Sequence, residues 1–277
     1  MNESKTPDPI KYRFTTIFKI VIFQGNLNPP MFISNSKKFI YIHLYKCAGT
    51  TIEIALSRSL KWNDILIGST EEGEALQNIY LKLFGLHKHS TAQEVKDVIG
   101  DVSWEGFFKF STVRNPYSLA VSQYTFSLQQ LLGGIERLKI KPLIEGTLDI
   151  NRYNTWPFTY PGVQALLSTG GVSSKFSDFI RSKKLTDWKG FSPQLDQLGN
   201  EKGDLIVDEA LKIEELDVLW PRLCEKLNLG AIELGRENQS KDNALDYRYF
   251  YNKTEDQEFI YKMFKKDFDC FNYAKNL

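Results

Sequence analysis

Residues 37–60 read KKFIYIHLYKCAGTTIEIALSRSL. Phe39 to Leu44 is a run of β-branched, aromatic and large apolar residues, the composition of a buried strand. From Thr50 to Leu60, the side chains of Ile52, Leu56 and Leu60 fall on one stripe at helical spacing. Thr50 with Glu53 makes a T-x-x-E capping box, which predicts a helix beginning at Thr50. Between strand and helix lies Tyr45-Lys46-Cys47-Ala48-Gly49, in which Cys47, Ala48 and Gly49 are small. A strand–loop–helix turn of this kind aims backbone N–H groups and a helix N-terminus beyond the strand end, where an anion is favoured. Lys46 adds a full positive charge to that loop.

The pattern recurs. Phe107 to Val113 (FFKFSTV) is a second strand and runs straight into Arg114-Asn115-Pro116. Asn115 is a good N-cap and Pro116 fits the first helical position, so a helix is predicted from Pro116 to about Phe126. In a parallel sheet, the Lys46 and Arg114 turns emerge at the same carboxyl edge, where open α/β folds bind ligands. Two cationic strand ends suit a nucleotide with phosphates at both ends. Between them, His87 to Gly100 (HKHSTAQEVKDVIG) offers a capping box at Ser90 with Gln93 or at Thr91 with Glu94, and Gly100 is a natural terminator. A helix from about Thr91 to Ile99 would start immediately after His89.

The remainder is read more coarsely. A short strand at Asp64 to Ile67 and a helix near Glu74 to Phe84 are expected, with irregular surface and short helices over residues 128–172, where Gly133-Gly134 and several prolines mark turns. Ser174 to Ser182 reads as helix, and Asp204 to Val207 with Ala210 to Ile213 as a late strand or strand pair. Glu214 to Leu227 reads as an amphipathic helix, and Glu255 to about Asp267 as the last helix. The alternation of strands and helices predicts an α/β fold: one P-loop-like, three-layer domain with a central parallel sheet flanked by helices. Asn26 to Pro30 (NLNPP) reads as a linker, so residues 1–30 are taken as an extension onto a domain spanning 31–277.

Composition narrows the function classes. The 277 residues are 42% hydrophobic and 25% charged, with a formal net charge of +1, a balance that favours neither nucleic acid nor a membrane surface, so any anion site is local. The three scattered cysteines argue against a disulfide framework and for a reducing compartment, the cytoplasm. No stretch reaches the roughly 20 apolar residues of a membrane span, which leaves peripheral membrane association open. G-x-x-x-x-G-K-[ST], G-x-G-x-x-G and G-x-S-x-G are all missing from the sequence. Three histidines without a nearby cysteine pair give no zinc signature, and no metal ligand set is assigned.

HLYKCAGTT resembles the 5′-phosphosulfate loop of the sulfotransferases, PK-[TC]-[AG]-G-T-[ST]. FSTVRNPYSLAVSQY resembles their 3′-phosphate motif: an apolar strand, R-[DN]-P, and a serine eight residues after the arginine. The likeness is to the carbohydrate-type (family 2-like) sulfotransferases and their bacterial relatives, and KHSTAQE and DFDCFNY extend it. The resemblance implies 3′-phosphoadenosine 5′-phosphosulfate (PAPS) as co-substrate, no metal, and an acceptor hydroxyl, with carbohydrate favoured and no nucleic-acid partner. It implies that Lys46 contacts the phosphosulfate bridge, and that backbone N–H groups of Cys47, Ala48, Gly49, Thr50 and Thr51, with the two threonine hydroxyls, hold the 5′-phosphate. Arg114 and Ser122 would hold the 3′-phosphate. A general base is expected from His89, with His87 the second choice, because a helix N-terminus disfavours imidazolium and keeps the ring able to accept a proton. This sequence departs from the family pattern at Tyr45, where proline is usual, at Ala48, a frequent glycine, and at Cys47, where threonine is commonest. Two other readings stay open: an atypical nucleotide-dependent kinase of small molecules, and a non-catalytic module that binds PAP or an anionic glycan. Trp156, Phe158 and Tyr160 either line a sugar site or, the preferred reading, pack in the core or on the surface.

Overall fold

Four strands form one sheet in the order β1 (Phe32–Ser34), β2 (Phe39–Ile42), β3 (Phe108–Val113) and β4 (Glu209–Lys212). Pairs β2–β3 and β3–β4 are parallel, while β1 returns antiparallel on β2. The computed structural model describes residues 32–68, 70–137, 155–235 and 246–277; the extension read over residues 1–30, and its boundary with the domain, lie outside them.

Alternation along the strands divides the interior in two. Phe39, Tyr41 and Phe110 point to one face, where α1 (Gly49–Ser57) and α10 (Leu216–Lys226) bring Ile52, Leu56, Leu216, Trp220 and Leu223. Ile40, Ile42 and Val113 point to the other face. There they meet side chains of α3 (Ala92–Ile99), α5 (Pro116–Arg137), α6 (Pro161–Ser168), α7 (Phe176–Arg181), α9 (Gln194–Leu198), α11 (Thr254–Met263) and α12 (Lys265–Cys270). The remaining helices are α2 (Glu71–Phe84) and the short α4 (Asp101–Glu105) and α8 (Lys183–Thr186). Helices therefore cover both faces of a mostly parallel sheet, and the continuous apolar run of β2 follows from that double burial: all four of its side chains are 0% exposed. At about 1.5–3 kcal/mol for each large apolar side chain removed from water, β2 is among the most strongly anchored segments of the chain.

The Thr91–Glu94 capping box is formed in both directions, and α3 starts directly after it. Other expectations are corrected. Helix α1 begins at Gly49, and its N-cap, Ala48, supplies no side-chain cap. Glu53, read as the partner of Thr50, is 0% exposed and turned to His43 instead. Helix α5 does not stop near Phe126 but runs through Gly133-Gly134 to Arg137. Gly134 there is a close-packing residue rather than a turn, since a Cβ on it would lie 2.7 Å from Pro157 Cγ. The Asp64–Ile67 strand reduces to one bridge between Ile65 and Ile33, and of the late strand pair only β4 forms, with Leu205 bridging Gly199. The last helix is two, broken at Phe264. Among the described residues no helix is long and apolar enough to cross a membrane.

Candidate active site

The parallel register brings the ends of β2, β3 and β4 to one edge. After β2 the chain passes through His43 and Tyr45 into a tight loop in which Lys46 (φ 59°) and Ala48 (φ 61°) are both left-handed. Loop and helix pack so closely that a Cβ on Gly49 would lie 2.0 Å from His43 Cδ2 and Nε2, so only glycine fits there. His43 is itself fixed from below, its Nδ1 3.0 Å from Glu53 Oε1, with both side chains buried. The Cys47 carbonyl accepts a hydrogen bond from Thr112 Oγ1 of β3 at 2.5 Å, and Thr112 in turn accepts from the Tyr41 hydroxyl at 2.8 Å. Cys47 is fully buried, which pushes its thiol up; it contributes backbone and packing, not a thiolate.

The second cationic turn lies against the first. Arg114 Nη1 donates to the Lys46 carbonyl at 3.2 Å, and Nε donates to Ser118 Oγ at 2.8 Å. Asn115 Oδ1 accepts from Tyr117 N at 2.9 Å, the capping expected of it. Lys46 Nζ sits over the Phe126 ring of α5, 3.6 Å from its centroid, a cation–π contact. Burial, and then the Arg114 cation, lower the Lys46 ammonium to about 8. Ser122 makes no side-chain hydrogen bond, to Arg114 or otherwise, among the described residues; it lies one helical turn beyond Ser118, on the same face of α5.

The two histidines differ in their hydrogen bonds. His89 Nδ1 lies 3.2 Å from the His43 carbonyl. A carbonyl only accepts, so Nδ1 carries the hydrogen and Nε2 keeps its lone pair. Tyr45 stacks on the His89 ring at 3.6 Å between centroids, and the His43 ring meets it edge-on at 4.6 Å. Burial and the neighbouring His43 hold His89 well below the usual histidine value. His87 Nδ1 instead accepts from the His89 backbone N–H at 3.2 Å, so that lone pair is engaged.

Four supporting residues were not legible in the sequence. The Gln194 side chain, 1% exposed, spans both turns: Oε1 accepts from Arg114 N at 2.7 Å and from Cys47 Sγ at 3.2 Å, while Nε2 donates to the Arg114 carbonyl at 2.8 Å. Asp267, in the DFDCFNY segment, holds Gln194 by accepting from its backbone N at 2.8 Å and its Nε2 at 3.1 Å, and from Leu195 N at 2.9 Å. Burial raises the Asp267 carboxyl to about 6 against those three bonds, which favour the charged form. Glu214, just past β4, accepts from Asn115 N at 2.8 Å and from the Tyr273 hydroxyl at 3.3 Å. Ser118 was within sight, four residues after Arg114, but nothing local marks it as the arginine's partner. Among the described residues, no group of three or more His, Cys, Asp or Glu side chains is placed to hold a metal ion.

An α/β protein that presents a lysine turn and an arginine turn side by side at one sheet edge, with a neutral histidine beside them, has the parts of a transferase acting on an anionic donor. The chain belongs to the sulfotransferase family, whose model matches residues 29–189, more than half of its length and inclusive of both turns and His89. It is an enzyme that transfers sulfuryl groups. No curated protein and no solved structure matches it significantly. Gln194, Glu214 and Asp267 all lie beyond the matched region, so the C-terminal part of the chain braces a site whose charged groups lie within it.

Proposed function

We propose that the enzyme transfers the sulfuryl group of PAPS to an acceptor hydroxyl, favouring a carbohydrate, in a P-loop-like site without a metal. The observation that carries this reading is the hydrogen bond from Arg114 to the Lys46 carbonyl, which joins the two cationic turns into one anion site. The residues fit the donor. Helix α1 opens on a left-handed Ala48 whose carbonyl accepts from Ile52 N but whose side chain offers no cap to the N–H groups before it. Gly49 leaves room for no more than a hydrogen beside His43, which keeps the loop backbone tight for a phosphate.

PAPS, when bound, supplies an activated sulfuryl group on its 5′-phosphate. The backbone of Cys47 to Thr51, with the Thr50 and Thr51 hydroxyls, holds that phosphate. Lys46 Nζ neutralises the charge that grows on the phosphate oxygen as its bond to sulfur breaks. Arg114, steadied by Ser118 and Gln194, holds the 3′-phosphate through charge-assisted bonds, with Ser122 one turn further along the same helix face. His89 Nε2 accepts the proton of the acceptor hydroxyl as the new oxygen–sulfur bond forms, and PAP leaves. His89 is preferred to His87 because its free lone pair is at Nε2, while the Nδ1 of His87 is taken by a backbone N–H. Positioning and charge stabilisation dominate such an in-line displacement.

The test is a pair of variants. Lys46→Ala should lose transfer of labelled sulfate while retaining PAP binding, since PAP has no sulfuryl bridge; a Lys46→Ala enzyme that still turns over rules out the assigned role.

A further inference from the structure

A row of aromatic side chains leads away from His89 and takes no part in holding the donor. Tyr45 stacks on the imidazole at 3.6 Å, Trp188 meets Tyr45 edge-on at 4.8 Å, Tyr160 meets Trp188 at 5.3 Å, and Trp156 lies 5.2 Å from Tyr160. Burial sorts these residues. Phe158 is wholly buried and Tyr160 nearly so, and both belong to the core. Tyr45 and Trp188 are half-buried, and Trp156 is 53% exposed. The row therefore runs from the open Nε2 of His89 at its inner end to an exposed indole at its outer end. An aromatic row that starts at a reactive group and ends on an indole left in water marks a contact site, because so much apolar area is normally covered.

The middle of the row is built to stay in place. A Cβ on Gly190 would lie 2.1 Å from the Trp188 ring, so glycine there lets the indole lie flat on the backbone. Glu94, which caps α3 directly after the histidine segment, also accepts from Lys189 Nζ at 2.8 Å, tying the residue beside Trp188 to the helix beside His89. Tyr45 stands where the family pattern has proline, so this chain has an aromatic ring between Trp188 and His89 that the usual residue would not supply.

We infer that Tyr45, Trp188 and Trp156 form the acceptor platform, and that the acceptor carries its hydroxyl on a six-membered ring that packs against these side chains. The inference rests on the reading of His89 as the base. The recognising chemistry is a flat apolar ring face with a hydroxyl at its rim, shared by a pyranose, which offers C–H groups, and by a phenolic ring, which offers a π-face.

The full-length enzyme with PAPS is to be assayed on cellobiose, 2-naphthol and 1-hexanol, with PAP affinity measured in parallel by calorimetry. Ring acceptors should be used well ahead of the acyclic alcohol. Preference for cellobiose identifies a sugar acceptor, and preference for 2-naphthol a phenolic one. Trp156→Ala, at an exposed position that should not disturb folding, should raise KM for the preferred ring acceptor roughly tenfold, as expected for a lost stacking contact, with PAP affinity unmoved. Trp188→Phe serves as the second variant and should raise the same KM. The inference is overturned if 1-hexanol is used as well as the ring acceptors, if both variants keep the wild-type KM, or if PAP binds but neither ring acceptor is sulfated. In each of those cases the donor reading stands, whereas failure to bind PAP removes the donor reading and this inference with it.

Discussion

Replacing Gln194 with leucine keeps the side chain's approximate volume but deletes the bridge between the two cationic turns. The buried Arg114 N–H loses its 2.7 Å acceptor and the Arg114 carbonyl its 2.8 Å donor, while Asp267 loses one of three donors. A buried backbone donor left without an acceptor costs about 1–3 kcal/mol, and the carbonyl adds a smaller amount, so a total of about 3 kcal/mol is expected. At roughly 2–4 °C per kcal/mol for domains of this size class, the melting temperature should fall by roughly 6–12 °C. The functional effect is separate from this. Once its peptide groups are released, Arg114 is no longer registered against Lys46, and PAP affinity should fall about tenfold, or about 1.4 kcal/mol. Gln194→Glu sharpens the contrast, because it keeps the shape but sets a second carboxylate against Asp267, and it should be the more damaging of the two. Thermal unfolding and calorimetric titration with PAP, the latter at a temperature where both variants are folded, give the two readings. A folded Gln194→Leu enzyme with wild-type PAP affinity would refute the role of Gln194 in positioning the turns.

Arg114→Ala should weaken PAP binding by about 2 kcal/mol or more, the loss typical of a charged hydrogen-bonding partner, and calorimetry would remove Arg114 from the site if affinity held. With Lys46 lowered to about 8, the cation is present below that pH and lost above it, so kcat/KM should decline as pH rises through about 8. Lys46→Arg, if active, should move that decline upward, and an unchanged alkaline limb would show that another group titrates. His89 lies well below the usual histidine value, and with His89 as the proposed neutral base the acid limb of kcat/KM should fall below pH 6.5, the ordinary histidine value, and vanish in His89→Ala; retention of that limb would move the base elsewhere. Gly49→Ala forces a Cβ to within 2.0 Å of the His43 ring and should cost at least about 1–3 kcal/mol of stability by overpacking, measured by denaturant unfolding.

The sequence reveals what is local in this protein. β2 is a continuous apolar run because both sheet faces are covered, β3 is buried although it carries Lys109, Ser111 and Thr112, and the turns that follow the two strands carry Lys46 and Arg114. The Thr91–Glu94 box is legible for the same reason, since both partners lie within one helical turn. The Thr50–Glu53 pair has the same spelling, yet its glutamate is drawn inward onto His43, and only the position of the β2 end decides that. Strand β1 spans only three residues, too short for periodicity to speak, whereas β4 falls within one residue of the stretch read as a late strand at Ala210 to Ile213. The bracing of Arg114 runs through Gln194, 80 residues on, which is held in turn by Asp267, 73 residues beyond it, and no local pattern records such contacts. The Gly133-Gly134 pair reads as a turn for want of the Pro157 side chain that packs on it.

In the proposed mode of binding, Lys46 and Arg114 hold the two ends of one phosphosulfate nucleotide. Calorimetric titration with PAP in the presence of EDTA tests it most directly. Saturable binding at one site per chain, independent of magnesium and strongly weakened in Arg114→Ala, is the predicted result. No binding, or binding that requires magnesium and accepts ATP equally well, would contradict the account and favour a nucleotide-dependent kinase.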